Sequence, residues 1–241
     1  MNAICSVVTT GGYVDLLKLL LYSLEKNGNV SDNDFVCIVT KEKRYALTTK
    51  EKTLLKKFWK GIKFHYIDYD KYNANGKSNP KYWSIEIFNM PEYDKVMLLD
   101  VDNVCMSDVS HLLNADYKLA MTKERQRPNF SAGLVIANKW YRNAHTYNQL
   151  IECAGDSHRF GHDQKVYNTF FGEASITEIN RKFHCKIDEV ETNIEQYGFI
   201  HYWLKPTDEK HRKRLNGRGV EVWDELYAEA CDKQKSKVRR K

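Results

Sequence analysis

The sequence lacks the spacings that announce the common metal, redox and nucleotide sites. Its six cysteines, Cys5, Cys37, Cys105, Cys153, Cys185 and Cys231, include no Cys-x-x-Cys pair and no Cys/His ligand spacing, so neither a zinc module nor a dithiol centre is expected. There is no Gly-x-Gly-x-x-Gly fingerprint and no Walker loop, the glycine-rich signatures by which dinucleotide and NTP sites are read. No apolar run reaches about 18 residues, so no membrane span is expected. The N-terminus has no basic n-region or long apolar h-region, and no signal peptide is expected. Cys5 and Cys37 lie inside apolar runs, where thiols behave as small buried hydrophobes. Together these absences point to a reducing, cytoplasmic setting. No repeat, low-complexity tract or Pro/Gly/Ser-rich linker divides the chain.

What is present suits a folded enzyme-sized unit. Of 241 residues, 42% are hydrophobic and 12% aromatic, enough for a substantial core, and 29% are charged, which excludes a disordered chain. The expectation is one domain over residues 1–232 and a flexible basic tail over 233–241. The net charge of +6 is mild and falls largely in that tail and in His211-Arg212-Lys213-Arg214 with Arg218. A nearly neutral remainder argues against nucleic acid as the main partner, while the tail offers contact with an acidic surface. Such runs are more often solvated faces, and oligomerisation is left open.

In order, Ala3 to Thr9 reads as a strand, Tyr13 to Lys26 as a helix closed by Asn27-Gly28, and Phe35 to Val39 as a strand. Ala46 to Trp59 reads as a helix and Ile62 to Ile67 as a strand. This β-α-β-α-β opening predicts an α/β fold with a mainly parallel sheet and right-handed crossovers. A loop over 68–80 precedes a helix over Lys81 to Asn89. A short helix capped by Ser107 or Asp108 follows the next strands, Tyr117 to Thr122 and Ser131 to Ala137 are strands, and Trp140 to Cys153 is a helix. Asp163 caps or opens a further helix ending at Phe171. Ile176 to Ile179 and Phe199 to Trp203 are strands, and helices around 208–215 and 220–230 close the domain.

The apolar run Val96 to Leu99 ends in Asp100-Val101-Asp102. A short apolar run bounded by charge reads as a strand buried on both faces. Carboxylates at i and i+2 share a face just past its end, where open α/β sheets usually bind ligands. Paired carboxylates there suit a hard divalent cation. A polar turn capping the strand is the equal alternative from this stretch alone.

Several stretches, in order, make the chain resemble the glycogenin-like enzymes of glycosyltransferase family 8. They are Val7-Val8-Thr9-Thr10-Gly11-Gly12-Tyr13, Glu92 to Asp102, Phe130-Ser131-Ala132-Gly133, Thr146 to Leu150, Asp163-Gln164-x-x-x-Asn168-Thr169-Phe170-Phe171, and His201-Tyr202-x-x-Lys205-Pro206. The likeness covers roughly residues 3 to 207, and the ordered set is far more specific than an isolated Asp-x-Asp. It implies a GT-A fold, a nucleotide-sugar donor, usually a UDP-sugar, and Mn2+ (Mg2+ as the alternative) held by Asp100, Asp102 and His201. It further implies uracil stacking on Tyr13, contacts from Val8 and Thr10 backbone groups, Val101 on the ribose side and Lys205 on the phosphates. Ser131 falls near the sugar, and Lys81 is the nearest counterpart of the family lysine that precedes the Asp-x-Asp strand. Asp163 with Gln164 falls beside the sugar, Asp163 as the carboxylate that orients donor hydroxyls or stabilises an oxocarbenium-like state. Retention of configuration is implied, and the acceptor is left unspecified.

The chain also departs from the family. Ser131-Ala132 stands for Asn-Ser, and the closing motif is two residues shorter, with Trp203, Leu204 and Thr207 in place of its Gly and Trp. Two rival readings remain. A haloacid-dehalogenase-type phosphohydrolase also ends a strand in Asp-x-Asp, but on its first strand and with a later acidic pair; here three strands come first and no Gly-Asp-x-x-x-Asp follows. A degenerate transferase acting as a binding module is the other.

Overall fold

In the computed structural model, which describes all residues except 73–79, 126, 157–161, 204–208, 213–216 and 240–241, a seven-stranded sheet is organised around two central neighbours. These are β1 (Asn2–Val7) and β4 (Lys95–Leu99), paired in parallel with Cys5 opposite Leu98. Outward from β1 come β2 (Asp34–Val39) and β3 (Ile62–Tyr66), both parallel. Outward from β4 come β7 (Phe130–Asn138) and β6 (Leu119–Lys123), each antiparallel to its inner neighbour, and then β8 (Thr177–Ile179). The order is β3-β2-β1-β4-β7-β6-β8. A second sheet packs β5 (Asn103–Cys105), β10 (Phe199–His201) and β9 (His184–Lys186) in that order. The mainly parallel α/β architecture expected from the β-α-β-α-β opening is the one observed.

Alternation along the strands divides the core into two layers. Ile4, Met97 and Leu99 face one side of the sheet, while Ala3, Cys5, Val96 and Leu98 face the other, as the two-residue period of a strand requires. The first layer is covered by α1 (Gly12–Asn27), α2 (Thr49–Phe58) and the C-terminal helix α7 (Arg218–Arg239); α3 (Ser110–Asn114) packs there too, and α6 (Glu209–Arg212) is a single turn before α7. The second is covered by a 3-10 helix (Pro80–Asn89), α4 (Ala144–Asp156) and α5 (Asp163–Phe171). All five residues of β4 are buried; each large aliphatic side chain withdrawn from water contributes about 1.5–3 kcal/mol, which anchors the strand that delivers Asp100.

Several elements differ from expectation. The helix expected before β4 is present as a ten-residue 3-10 helix. It surrounds Glu86, 2% exposed, whose carboxylate accepts from Tyr72 Oη and Tyr147 Oη (each 2.8 Å) and Asn89 Nδ2 (3.2 Å) and contacts His65 Nε2 (2.9 Å). Helix α2 begins at Thr49, because Thr48 and Glu51 form a reciprocal capping box. Neither Ser107 nor Asp108 is the N-cap of α3: that position is Val109, and Asp108 Oδ1 accepts from the Ser110 amide at 2.9 Å. Strand β9 was not anticipated. Helix α7 runs through Arg239, and Lys233 pairs with Glu25 on α1. All six cysteines are free thiols. Among the described residues no helix is long and apolar enough to cross a membrane.

Candidate functional site

At the carboxyl end of β4 the chain turns through Asp100-Val101-Asp102 into β5. Buried Asn103 holds this turn: its Nδ2 donates to the carbonyls of Asp100 and Gly133, each at 3.0 Å. The Asp100 amide donates to Gly133 O (3.2 Å), and the Tyr202 amide donates to Asp102 O (2.8 Å). The second bond ties the end of β10 to the turn. It brings His201 Nε2 to 3.1 Å from Asp102 Oδ1 and 3.5 Å from Asp100 Oδ2.

One ligand atom from each of Asp100, Asp102 and His201 lies within 4.8 Å of the other two. Two carboxylate oxygens and an imidazole nitrogen, so converged, form a donor set that fits a divalent cation. Burial opposes the His201 charge, but the carboxylates of Asp102 and Asp100 outweigh it and raise the imidazole pKa. Desolvation raises the Asp100 pKa, with Asp102 and Asp163 adding repulsion and His201 and Lys81 opposing. Its side chain is nevertheless 47% exposed. Solvent therefore discounts the desolvation, and crowding of like charge is the sounder cause.

These residues form one wall of a cavity of about 440 Å3. Tyr13, 41% exposed at the start of α1, lines another part of it with Val7, Thr9 and Val101. The loop ahead of α1 is fixed by Glu51, a residue the sequence did not single out. Glu51 accepts from Thr10 Oγ1 (2.9 Å), the Gly11 amide (3.1 Å) and the Thr48 amide (2.7 Å). Gly11 adopts φ 82°, a left-handed conformation open to glycine at little cost. Val8 and Thr10 do not line the cavity. The Val8 amide donates to Ile38 O and the Thr10 amide to Tyr45 O, and Val8 is fully buried; their neighbours Val7 and Thr9 face the space.

The opposite wall is built by the 3-10 helix, β7 and α5. Lys81, Ser131, Asp163 and Gln164 all line the cavity. Asp163 is the first residue of α5; its Oδ2 accepts from Ser84 Oγ at 2.7 Å and its Oδ1 from the Gln164 amide at 2.8 Å. Tyr167 Oη donates in turn to Ser84 Oγ at 2.8 Å. Desolvation pushes the Asp163 carboxyl up to about 6 against these hydrogen bonds and the Lys81 charge. The Asp-Gln-x-x-x-Asn spacing has a structural reason. Asn168 Nδ2 donates back to Gln164 O (2.7 Å) and to Phe130 O (2.8 Å), and its Oδ1 accepts from the Phe130 amide (2.8 Å), clamping α5 to the start of β7. Lys205 lies outside the described residues.

Behind Asp100, Asp102 and His201, Gly133 leaves room for two imidazoles. A Cβ at this position would stand 2.8 Å from both His184 Nε2 and His201 Nδ1. The two rings lie 5.3 Å apart, centroid to centroid. Desolvation and the charges of His201 and Lys186 hold the His184 pKa well below the ordinary value. A second, smaller cavity of about 270 Å3 adjoins the first through Lys186 and is walled by Glu124, Arg127, Asp188, Glu189 and Trp203.

No known family matches the sequence, and no curated protein matches it. Solved structures share the fold at low identity. The galactosyltransferase LgtC, solved with donor and acceptor sugar analogues, superposes with a TM-score of 0.71 at 16% identity over 95% of this chain and 96% of that one. The glycosyltransferase GlyE of Streptococcus pneumoniae TIGR4 gives 0.74 at 16% identity over 98% of this chain and 63% of its own. The bifunctional glycosyltransferase WbbM gives 0.66 at 14% identity over 95% of this chain and 51% of its own. The GT-A architecture is thus common to all of them.

Proposed function

We propose that the protein is a metal-dependent, retaining glycosyltransferase that moves a hexose or related sugar from a UDP-sugar to an acceptor hydroxyl. The observation that carries this reading is the convergence of Asp100, Asp102 and His201 on the wall of a cavity that Tyr13 and Asp163 also line. The mixed oxygen and nitrogen donor set suits Mn2+, with Mg2+ as the alternative. A cation held there would act as a Lewis acid that neutralises charge on the departing nucleoside diphosphate.

The remaining roles belong to the chain. Tyr13 stacks on the uracil, and the base edge is read by carbonyl oxygens of the Val7–Thr10 segment, since the Val8 and Thr10 amides are committed elsewhere. Val101 packs against the ribose. Lys81 meets the donor beside Asp163, and Lys205 adds positive charge at the phosphates. Asp163, oriented by Ser84, accepts hydrogen bonds from the donor sugar and faces the positive charge that develops at its anomeric carbon. Gln164 and Ser131 hold the sugar from either side. The acceptor oxygen bonds to the anomeric carbon on the face from which the diphosphate leaves, and a departing phosphate oxygen takes the hydroxyl proton.

The smaller cavity supports a sugar acceptor. Trp203 is 46% exposed, with its Nε1 donating to Asp188 Oδ1 at 3.1 Å, and an indole with an apolar face and a fixed polar tip suits a pyranose ring. The free thiols support the cytoplasmic setting. Hydrolysis of a panel of UDP-sugars with and without Mn2+ tests the reading without knowledge of the acceptor. Metal-dependent release of UDP from one donor supports it, and turnover of simple phosphate monoesters instead contradicts it.

A further inference from the structure

Two buried imidazole nitrogens, His201 Nδ1 and His184 Nε2, have no hydrogen-bond partner. Buried polar atoms are rarely left so, and each such case calls for an explanation. Strand register accounts for their proximity. His184 on β9 is paired with Phe199 on the parallel strand β10; Phe199 and His201 are two residues apart and share a face, so both histidines project to the same side. Gly133 on β7 approaches that side, and the site of its missing Cβ is 2.8 Å from each orphaned nitrogen. The two atoms therefore converge on one point above one glycine. Asn103 Oδ1, on the residue paired with His201 across β5 and β10 and bonded through Nδ2 to Gly133 O, is also buried and unpaired, and is the rival acceptor that the H184F variant reveals or excludes.

Chemistry supplies the reason for the convergence. His201 turns Nε2 toward Asp100 and Asp102. An imidazole that gives the Nε2 lone pair to a cation and remains neutral carries its proton on Nδ1, and that proton needs an acceptor. Acceptors of this kind fix the tautomer and ring orientation of metal-bound histidines.

We propose that His184 is the positioning residue of the cation site, accepting the Nδ1 proton of His201 at its own Nε2 when Nε2 of His201 engages a divalent cation. The proposal rests on the metal-dependent reading above and assigns His184 no contact with substrate. No proton is gained or lost: the neutral His201 tautomer with hydrogen on Nδ1 is selected, and His184 holds its own hydrogen on Nδ1.

The test is Mn2+ binding to the full-length protein by calorimetry, with no substrate present, in wild type, His184→Phe and His184→Gln. Phenylalanine fills the space but accepts no proton; glutamine restores an acceptor on a side chain of similar reach. Loss of partners of this kind typically lowers metal affinity 10–100-fold. That weakening is expected for H184F, and recovery to within a few-fold of wild type for H184Q. A merely structural role gives the opposite order, with the packed aromatic ring tolerated and the amide not. In the Zn2+-loaded protein, nitrogen-15 spectra are expected to show a protected Nδ1–H on His201 that is lost in H184F. Wild-type affinity in H184F, or no recovery in H184Q, overturns the proposal while leaving the glycosyltransferase reading intact. Absence of Mn2+ binding in the wild type overturns both.

Discussion

His201 Nδ1 lies 2.8 Å from the point where a Cβ on Gly133 would stand. No side-chain heavy atom fits that space, because real Cβ atoms do not approach a neighbour so closely and His184 blocks retreat on the same side. Gly133→Ala is therefore expected to push His201 away from Asp102 while the sheet still forms. Overpacking of this kind costs about 1–3 kcal/mol. Calorimetry should find Mn2+ affinity lowered by roughly tenfold or more, since about 1.4 kcal/mol is a factor of ten. A variant that binds Mn2+ like wild type removes the role given to this contact.

Glu86 holds the 3-10 helix that carries Lys81 and Ser84 to the cavity. Burial raises its pKa, but the bonds from His65, Tyr147, Tyr72 and Asn89 outweigh this and lower it. Its stabilising effect is thus fully present above the usual glutamate range and is lost as pH falls through the lowered value. Glu86→Ala leaves two buried tyrosine hydroxyls without their acceptor, at a cost of about 3 kcal/mol. Thermal melting at neutral pH should show a fall of roughly 6–12 °C, shrinking as the buffer is made acidic. An unchanged midpoint contradicts the role.

Asp163 has the opposite sign. Its carboxyl is pushed up to about 6, so between the ordinary aspartate value and that pH the folded state binds more protons than the unfolded chain. Stability falls as pH rises through this window. Asp163→Asn keeps a hydrogen-bonding partner for Ser84 and carries no charge. Melting of the metal-free protein should show it more stable than wild type at pH 8, by on the order of 1–3 kcal/mol, and nearly equal at pH 4. Sugar transfer should be lost at both. Stabilisation at pH 4 alone would reverse the assignment.

Trp203 separates the two cavities' roles. Trp203→Ala is expected to leave UDP–Mn2+ binding and donor hydrolysis within about twofold of wild type while transfer to sugar acceptors falls roughly five- to twelvefold, the loss of an aromatic stacking contact of about 1–1.5 kcal/mol. Equal losses in hydrolysis and transfer would place the indole in the donor site instead.

Much of this was legible in the sequence because it rests on continuous local patterns. The runs that became β1, β2 and β4 are apolar across their length, and the central strands of a parallel sheet are buried on both faces. The Asp-x-Asp turn follows the last of them directly. His201 could be placed only through the ordered motifs. What escaped depends on tertiary contact. Three-residue β9 shows no periodicity, so His184 gave no signal, and Asn103, Glu51 and Ser84 act through partners distant in sequence. The commitment of the Val8 and Thr10 amides to Ile38 O and Tyr45 O, and the turning of Val7 and Thr9 to the cavity, likewise depend on strand pairing.

In the proposed function, Asp100, Asp102 and His201 hold a cation through which a nucleoside diphosphate binds. Calorimetric titration of UDP into the full-length protein, with Mn2+ and then with excess chelator, tests it most directly. Binding is expected to require Mn2+, to disappear with chelator and to be absent in Asp102→Ala. UDP binding of equal affinity with and without chelator, or retained in Asp102→Ala, would contradict it.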